Sequence, residues 1–111
     1  DAQAYGKQEQ LRAMHIAAGA LIRLGQRYAE AARSLVEQET DAGRQAELLR
    51  IAEVCAWVPA HAPRNFWEAL QYYWFVHLGV TTELNTWDAF CPGRLDQHLL
   101  PFYARGLADG H

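Results

Sequence analysis

Nucleophilic side chains are scarce in this 111-residue chain, which has two cysteines, Cys55 and Cys91, and a single serine, Ser34. A nucleophilic hydrolase needs its serine or cysteine placed beside a histidine base, and Ser34 lies in a helical pattern without one. The chain also lacks GxSxG, CxxC, GxxxxGK and GxGxxG motifs. The sequence therefore gives no motif for a hydrolase, a dithiol redox site or a nucleotide-phosphate site. We interpret Cys55 as a small core residue and Cys91 as a packed thiol at a turn.

An excess of charge of either sign is also missing. The net charge is −3 at pH 7, with acidic and basic residues mixed along the chain. This balance gives no electrostatic footprint for nucleic acid and no basic face for a membrane surface. The most apolar stretch, 66–80, is shorter than the roughly 20 residues that cross a bilayer. With no apolar leader at the start and two well-separated cysteines, we expect a cytoplasmic protein with reduced thiols.

Histidine pairs with metal-binding spacing are absent as well. The five histidines are scattered, and no two stand four residues apart with a carboxylate partner; they are His15, His61, His77, His98 and His111. Helical metal sites need such pairs on one face. We therefore expect no metal site, and a helical bundle that holds haem or a metal is the weakest of three hypotheses.

What the sequence does contain is helical periodicity. From residue 8 to about 39, apolar side chains recur every three or four positions and predict one long amphipathic helix. Gly19 and Gly25 interrupt it, and small residues there would let a neighbouring helix approach closely. A second helix is predicted to begin at Thr40 or Asp41 and to end before Pro59, because a residue that precedes proline is disfavoured in the α region. The two helices would form an antiparallel hairpin.

The third element, residues 66–80, is apolar on nearly every side. Its strongly polar residues are Glu68, Gln71 and His77, and they leave no broad wet face. A helix of this kind is normally buried all round. Asn65, followed by Glu68 three residues later, predicts a capping box that opens the helix.

After this helix, residues 80–84 (VTTEL) are rich in β-branched side chains and predict a short strand. A terminal helix is predicted from Arg94 to about residue 108, and Pro101 is expected to kink it or to delay its start. Arg94 and Asp96 are expected to form a structural charge pair or to cap neighbouring groups, because charges that become buried need partners.

The chain is predicted to be a piece of a larger protein. The 66–80 helix needs partners on all faces, whereas the remaining helices have only one apolar side each. The chain also stops at Asp109-Gly110-His111, where a turn would lead into another element. The expected fold is mostly α, with a helical hairpin, a buried apolar helix, a short strand and a terminal helix, and no complete domain.

Three segments carry a resemblance to a known family. They are residues 52–71 (AEVCAWVPAHAPRNFWEALQ), residues 83–97 (ELNTWDAFCPGRLDQ) and residues 100–103 (LPFY). Together they resemble the glycyl radical enzymes of the pyruvate formate-lyase family. The resemblance extends over nearly the whole chain and is strongest from Glu53 to Tyr103.

The resemblance implies an unusual chemistry for the parent protein. Members are large anaerobic enzymes built on a ten-stranded α/β barrel. A backbone glycyl radical, installed by a radical SAM activating enzyme, generates a thiyl radical on a central cysteine, which takes a hydrogen atom from substrate. By this likeness, residues 1–111 are a partial domain from the N-terminal half, with helices that lead into the first barrel strand. The implied partners are the rest of the parent polypeptide, a small-molecule substrate, the activating enzyme and a second copy in a homodimer.

The resemblance places no catalytic residue in this chain. The family's active cysteine precedes x-Glu, whereas Cys55 precedes Ala-Trp and Cys91 precedes Pro-Gly, and the Arg-Val-x-Gly-Tyr setting of the radical glycine is absent. The segment before Gly93-Arg94 corresponds to a barrel strand end near the substrate. Its residues are expected either to line the substrate pocket or to take part in ordinary barrel packing; they are Trp87, Asp88, Ala89 and Phe90.

Two functions are therefore weighed. The first is a segment of an enzyme that cleaves a small molecule by radical chemistry, as a C–C, C–O or C–S lyase, a dehydratase or a formate acetyltransferase. Residues 85–90 (NTWDAF) look closer to members that cleave C–S bonds, such as isethionate sulfite-lyase, or that act on aromatic hydrocarbons. The alternative is a small helical module that buries residues 66–80 against a partner protein.

Overall fold

The computed structural model describes residues 2–83 and 91–110. These residues form four α-helices: α1 Ala2–Gln38, α2 Ala42–Trp57, α3 Phe66–Glu83 and α4 Leu95–Ala108. The mostly helical fold predicted from the sequence is confirmed for the described residues, although the predicted strand is not, as detailed below. None of the helices in this part of the chain combines the length and the apolarity needed to cross a membrane.

Helices α1 and α2 form the predicted antiparallel hairpin, in which Leu35 near the end of α1 lies beside Leu48 of α2. Of the two predicted caps, Asp41 is the one used: its carboxylate accepts a hydrogen bond from the Arg44 backbone N–H at 2.7 Å. That bond satisfies one of the free donors at the start of α2. The Gln45 side chain also donates to the Glu39 carbonyl at 2.6 Å and ties the turn to α2.

Gly19 and Gly25, the two glycines that interrupt the apolar pattern of α1, differ in their surroundings. A Cβ atom on Gly25 would lie 2.9 Å from the Val58 carbonyl oxygen and 3.0 Å from that of Cys55, so only glycine permits this close approach. A Cβ atom on Gly19 would meet nothing within 4 Å. The prediction of close helix packing is thus confirmed at Gly25 and wrong at Gly19, because the first half of α1 extends past the end of α2.

The connector between α2 and α3 begins where the sequence predicts. Helix α2 ends at Trp57, with Val58 as an extended C-cap directly before Pro59. The Trp57 indole N–H then donates to the Ala62 carbonyl at 2.9 Å, and the His61 ring lies 4.3 Å from the Trp57 ring. His61 is exposed.

The strand predicted at residues 80–84 is wrong over the residues that the structure describes. Residues 80–83 continue α3, and Leu84 lies outside the described part. The Thr81 hydroxyl donates to the His77 carbonyl at 2.8 Å, and the Thr82 hydroxyl donates to the Leu78 carbonyl at 2.6 Å. These bonds to the preceding turn accommodate threonine in a helix, so β-branching does not decide the local structure here.

Helix α3 is not buried on every side. Its inner side supplies Phe75, 1% exposed, to a core that we call the inner cluster, formed by Ala29, Val54, Cys55, Val58 and Phe75. Its outer side carries an apolar row that we call the outer stripe: Trp67, Leu70 and Trp74, exposed by 44%, 39% and 50%. The expectation of all-round burial fails because α1, α2 and α4 cover only part of the circumference.

Helix α4 begins at Leu95, with Arg94 at its N-cap and no side-chain capping hydrogen bond. The predicted late start at Pro101 does not occur, since Pro101 stands in the helix interior. Helix α4 packs against α3, where the Phe66 and Tyr103 rings meet edge to face with centroids 6.0 Å apart.

Candidate functional site

The entrance of α3 is fixed by a buried carboxylate. Asn65 caps the helix as predicted, because its side-chain oxygen accepts from the Glu68 N–H at 2.9 Å. The Glu68 side chain, 2% exposed, does not return to Asn65 as a capping box requires, and binds Arg64 instead. It accepts from the Arg64 backbone N–H at 2.7 Å and from the guanidinium at 2.6 Å. We call this pair the Arg64 clamp.

The clamp sets the ionisation of Glu68. Burial, the largest single influence, raises the pKa of this carboxyl, but the hydrogen bonds and charge of Arg64 together outweigh burial, and the pKa lies below its usual range. Glu68 is therefore held as a carboxylate. The Arg64 guanidinium also lies 4.1 Å from the centre of the Trp57 ring, a distance at which a cation is attracted to the ring face. The clamp thus joins the end of α2 to the start of α3.

A cleft of about 560 Å³ opens beside the clamp, between α2, the start of α3 and the last turns of α4. Aromatic and arginine side chains dominate its walls. The lining residues are Arg50, Arg64, Asn65, Phe66, Trp67, Phe102, Tyr103, Arg105, Gly106 and Asp109.

The positive charges of this cleft are largely balanced. Arg64 is paired with Glu68, and the Arg50 guanidinium lies 3.7 Å from the Glu53 carboxylate. Arg105 faces a cleft that Asp109 also lines. Because two of the three arginines are paired to acids and Asp109 also lines the cleft, the cleft is not a strong anion site.

A second cavity, of about 470 Å³, lies between α3 and α4 and is mostly apolar. We call it the α3–α4 groove. Its lining residues are Pro63, Ala69, Tyr72, Tyr73, Val76, Pro92, Leu95, His98, Leu99 and Phe102. Two tyrosines and one histidine are its polar groups, so it suits an apolar occupant with few hydrogen-bonding groups.

At the turn into α4, the side chain of Arg94 is near Gln97 and not paired with Asp96. Gly93 has φ +77°, a left-handed conformation that glycine adopts without strain, and its carbonyl accepts from the Leu95 N–H at 3.0 Å. The Arg94 guanidinium lies 3.4 Å from the Gln97 side-chain oxygen. Among the ion pairs of the described residues, Arg94 and Asp96 are not brought together. Gln97 stands three residues after Arg94 on the helix and so occupies the position within reach.

The two cysteines have different environments. Cys55 is 4% exposed within the inner cluster, and burial raises the pKa of its thiol. A raised pKa disfavours the thiolate, so Cys55 is a packing residue, as the sequence predicts. Cys91 is exposed at the start of the turn into α4, so the interpretation of Cys91 as a packed thiol is wrong for the part of the chain that the structure describes. Across residues 2–83 and 91–110, no three His, Cys, Asp or Glu side chains converge as metal ligands.

The residues expected to line a substrate pocket, Trp87, Asp88, Ala89 and Phe90, lie outside the described residues. Their predicted role stays a prediction. The nearest described residues in the chain are Glu83, which ends α3, and Cys91, which precedes Pro92 in the wall of the α3–α4 groove.

Sequence reasoning missed the Arg64 clamp and both cavities. The spacing of Arg64 and Glu68, four residues apart, was the available signal for the clamp. The spacing of the histidines argues against His98 as a metal ligand and predicts no other role for it. The structure places His98 in the wall of the α3–α4 groove. In the sequence, His98 stands one helical turn from both Leu95 and Phe102, which indicates that the three residues share one side of a helix. This spacing does not indicate which helix packs against that side.

Residues 1–111 match the family described as pyruvate formate lyase-like. The chain belongs to this family. The resemblance inferred from residues 52–103 is thereby confirmed, and a free-standing helical module is not supported.

Two curated relatives are similar to nearly the whole chain. The chain is 58% identical to trans-4-hydroxy-L-proline dehydratase of Clostridioides difficile over 110 residues, covering 99% of this chain and 14% of that protein. It is 41% identical to isethionate sulfite-lyase of Nitratidesulfovibrio vulgaris over 100 residues, covering 90% of this chain and 12% of that protein. The predicted likeness to sulfite-lyases is thus present, but the likeness to the dehydratase is greater.

The fold agrees with a solved member of the class. The crystal structure of a glycyl radical enzyme from Archaeoglobus fulgidus matches with a TM-score of 0.77 and 43% sequence identity. The match covers 83% of this chain and 12% of that one. The chain therefore spans about one seventh or less of the length of the relatives it matches.

Proposed function

We propose that this chain is a segment of a glycyl radical dehydratase that removes water from a small hydroxylated molecule, with trans-4-hydroxy-L-proline as the first candidate substrate. The observation that carries the proposal is the 58% identity to trans-4-hydroxy-L-proline dehydratase over 99% of the chain. The match extends over 110 of the 111 residues, so the likeness is not confined to one motif.

Within the parent enzyme, this segment has a supporting role. The family resemblance implies that the radical glycine and the active cysteine lie elsewhere in the polypeptide, on a ten-stranded barrel. Cys55 is buried with a raised pKa, which fits a cysteine that takes no part in the chemistry. We propose that residues 1–111 are a partial domain whose helices lead into the first barrel strand.

We further propose that Trp87, Asp88, Ala89 and Phe90 line the substrate pocket. Support comes from their place in the chain, between Glu83 at the end of α3 and Pro92 in the wall of the α3–α4 groove. Residues joined this closely to the groove are in a position to face a ligand held beside it. An aromatic pair with one carboxylate suits a small substrate that is partly apolar and carries a polar or cationic group.

The proposal includes the partners and setting that the family resemblance implies. A radical SAM activating enzyme would install the glycyl radical, and the parent enzyme would be a homodimer. The reaction would take place in the cytoplasm of an anaerobic cell, because a glycyl radical needs the absence of oxygen. No nucleic acid or membrane partner is proposed, in keeping with the mixed charges and net charge of −3.

The proposal is tested with the full-length parent enzyme, activated anaerobically by its radical SAM partner. Trans-4-hydroxy-L-proline, isethionate and 1,2-propanediol are supplied in parallel, and substrate loss is followed by mass spectrometry. We expect turnover of trans-4-hydroxy-L-proline to a product that is lighter by about 18 mass units, because dehydration removes one water from each substrate molecule. Activated enzyme that removes water from neither trans-4-hydroxy-L-proline nor 1,2-propanediol would contradict the proposal.

A C–S lyase is the second candidate function. The 41% identity to isethionate sulfite-lyase over 90% of the chain favours it over the other activities of the family. In the same assay this alternative predicts release of sulfite from isethionate and no loss of hydroxyproline. The two outcomes are mutually exclusive, so one experiment separates the candidates.

A further inference from the structure

The cleft beside the Arg64 clamp contains a cation and an anion that are not paired with each other. Arg105 lies in the last turn of α4, and Asp109 is the C-cap of that helix. The Asp109 N–H donates to the Arg105 carbonyl at 3.0 Å, so the two residues stand one helical turn apart, and both line the cleft. Side chains with this spacing are close enough to interact, but the ion pairs of the described residues do not include one between them.

The other two arginines of the cleft are already engaged. Arg50 and Arg64 are each paired with a glutamate. Within the described part of the chain, Arg105 has no such acidic partner, and Asp109 is the acidic side chain that lines the cleft. A guanidinium and a carboxylate are therefore both available to a ligand in the same cleft.

The rest of the wall is mostly aromatic. Its rings belong to Phe66, Trp67, Phe102 and Tyr103, and Gly106 contributes only backbone. The Phe66 and Tyr103 rings meet edge to face and form one corner of the wall. Flat aromatic surfaces suit a compact ring or an apolar side chain. The volume of about 560 Å³ lies within the range of roughly 300–1,000 Å³ that is typical of small-molecule sites.

We propose that this cleft binds a zwitterionic α-amino acid with a small cyclic or apolar side chain. The Arg105 guanidinium donates hydrogen bonds to the ligand carboxylate, a geometry in which two parallel bonds form. The Asp109 carboxylate accepts from the ligand ammonium group, and the aromatic wall contacts the ligand ring or side chain. The inference goes beyond the proposed function, because it concerns binding and holds whether or not the parent enzyme is a dehydratase.

The charges of the cleft favour a zwitterion over other small ligands. An anion is attracted by Arg105 but repelled by Asp109, and a cation meets the opposite pair of effects. A neutral apolar ligand would take both charged groups out of water without replacing their hydrogen bonds. A zwitterion satisfies both groups at once. The charge balance that argues against a strong anion site therefore supports an amino-acid site.

The ligand class is tested by calorimetric titration of the full-length parent enzyme without activation, so that no turnover occurs. The probes share a five-membered ring and differ in charge: L-proline has both charges, pyrrolidine only the positive one and cyclopentanecarboxylate only the negative one. We expect L-proline to bind about tenfold or more tightly than either single-charge probe, because each of these lacks one charge-assisted contact. Equal binding of the three probes, or no binding of L-proline, would overturn the inference.

The location of the site is tested by matched variants of the same helix. Arg105→Gln and Asp109→Asn should each weaken L-proline binding about tenfold. The controls Arg94→Gln and Asp96→Asn change the charge of the first turn of α4, outside the cleft, and should leave binding unchanged. Binding that is the same in all four variants would assign L-proline to another part of the parent enzyme and overturn the inference.

Two further comparisons keep the result specific. Arg105→Lys retains the charge but not the planar fork, so its affinity should lie between those of wild type and Arg105→Gln, and thermal melting checks that each variant is folded. A wild-type enzyme that dehydrates none of the substrates but binds L-proline through Arg105 refutes the dehydratase proposal alone. Turnover of trans-4-hydroxy-L-proline, with L-proline binding unaffected by Arg105→Gln, refutes the amino-acid site alone.

Discussion

The inner cluster and the outer stripe are both apolar, but the inner cluster is buried and the outer stripe is exposed to solvent. Phe75 and Trp74 are adjacent in sequence, yet Phe75 is 1% exposed and Trp74 is 50% exposed. Tyr28 of α1 packs against the Phe75 ring at 5.9 Å, whereas no helix of the described residues covers Trp74. The difference shows that neighbouring helices of this chain cover only one side of α3.

The comparison also explains the polar residue in the interior. Glu68 lies on the inner side, where an unpaired carboxylate is strongly disfavoured, and four hydrogen bonds from Arg64 to the carboxylate oxygens compensate its burial. The outer stripe has no such compensation because its residues carry no charge. The ion pair between Arg64 and Glu68 therefore lies on the side of α3 that is buried within this chain.

The largest expected effect separates the two surfaces directly. In the 111-residue chain, Phe75→Ala should lower the free energy of unfolding by about 3–5 kcal/mol, because it leaves a cavity in the inner cluster. Trp74→Ala should change it by about 0.5 kcal/mol or less, because its side chain is half exposed there. Urea titration of the helical circular dichroism signal measures both. Equal losses for the two variants would contradict the distinction between the surfaces.

The edge of the inner cluster provides the second comparison. Gly25→Ala should destabilise by about 1–3 kcal/mol, because the new Cβ atom would press on backbone carbonyls that cannot move aside. Gly19→Ala is the matched control and should stabilise by up to about 1 kcal/mol through helix propensity, since its Cβ atom meets nothing within 4 Å. The same urea titration applies. A stabilising Gly25→Ala would show that the hairpin is looser than described.

The third effect concerns the Arg64 clamp. Glu68→Gln keeps the shape of the side chain but removes its charge, and it should lower the free energy of unfolding by about 1–2 kcal/mol. Glu47→Gln removes the exposed ion pair with Arg44 and should change it by less than about 0.5 kcal/mol. Hydrogen exchange of the first α3 amides reports the local loss. If both variants behave alike, the buried position of Glu68 has no energetic consequence.

Acid titration sharpens the same comparison. The pKa of Glu68 is lower in the folded chain than in the unfolded chain, so the unfolded state binds the proton more readily. The stabilisation from Glu68 is therefore present above the ordinary glutamate pKa of about 4.3 and is lost as the pH falls through the lower, folded value. The difference in stability between wild type and Glu68→Gln should shrink over that range. A difference that stays constant down to low pH would contradict the assignment.

Much of the local structure could be predicted because it depends on neighbouring residues. Asp41 caps α2 and Asn65 caps α3 through side chains that reach only three residues along the chain. Pro59 ends α2 by a steric effect on Val58. The strand expected at residues 80–84 fails for the opposite reason: Thr81 and Thr82 bond to the preceding helical turn, and packing of α3 overrides β-propensity.

The candidate site was less predictable. Two residues expected to form a charge pair, Arg94 and Asp96, are not brought together, because Gln97 occupies the position one turn along α4. The α3–α4 groove combines Tyr72 with His98, which are far apart in the chain, and no periodicity states that their helices meet. The pocket-lining role of residues 87–90 rests on family resemblance and stays a prediction.

The sequence by itself determined that four helices form, which residues cap α2 and α3, and the family, since these follow from side-chain periodicity, short-range hydrogen bonding and residue identity. Only the tertiary structure decided which side of α3 is covered, which glycine is in contact and which acid pairs with Arg64. The physical reason is that burial depends on what packs opposite a surface. A helix that is apolar on several sides specifies that it must be covered, but not by which neighbour.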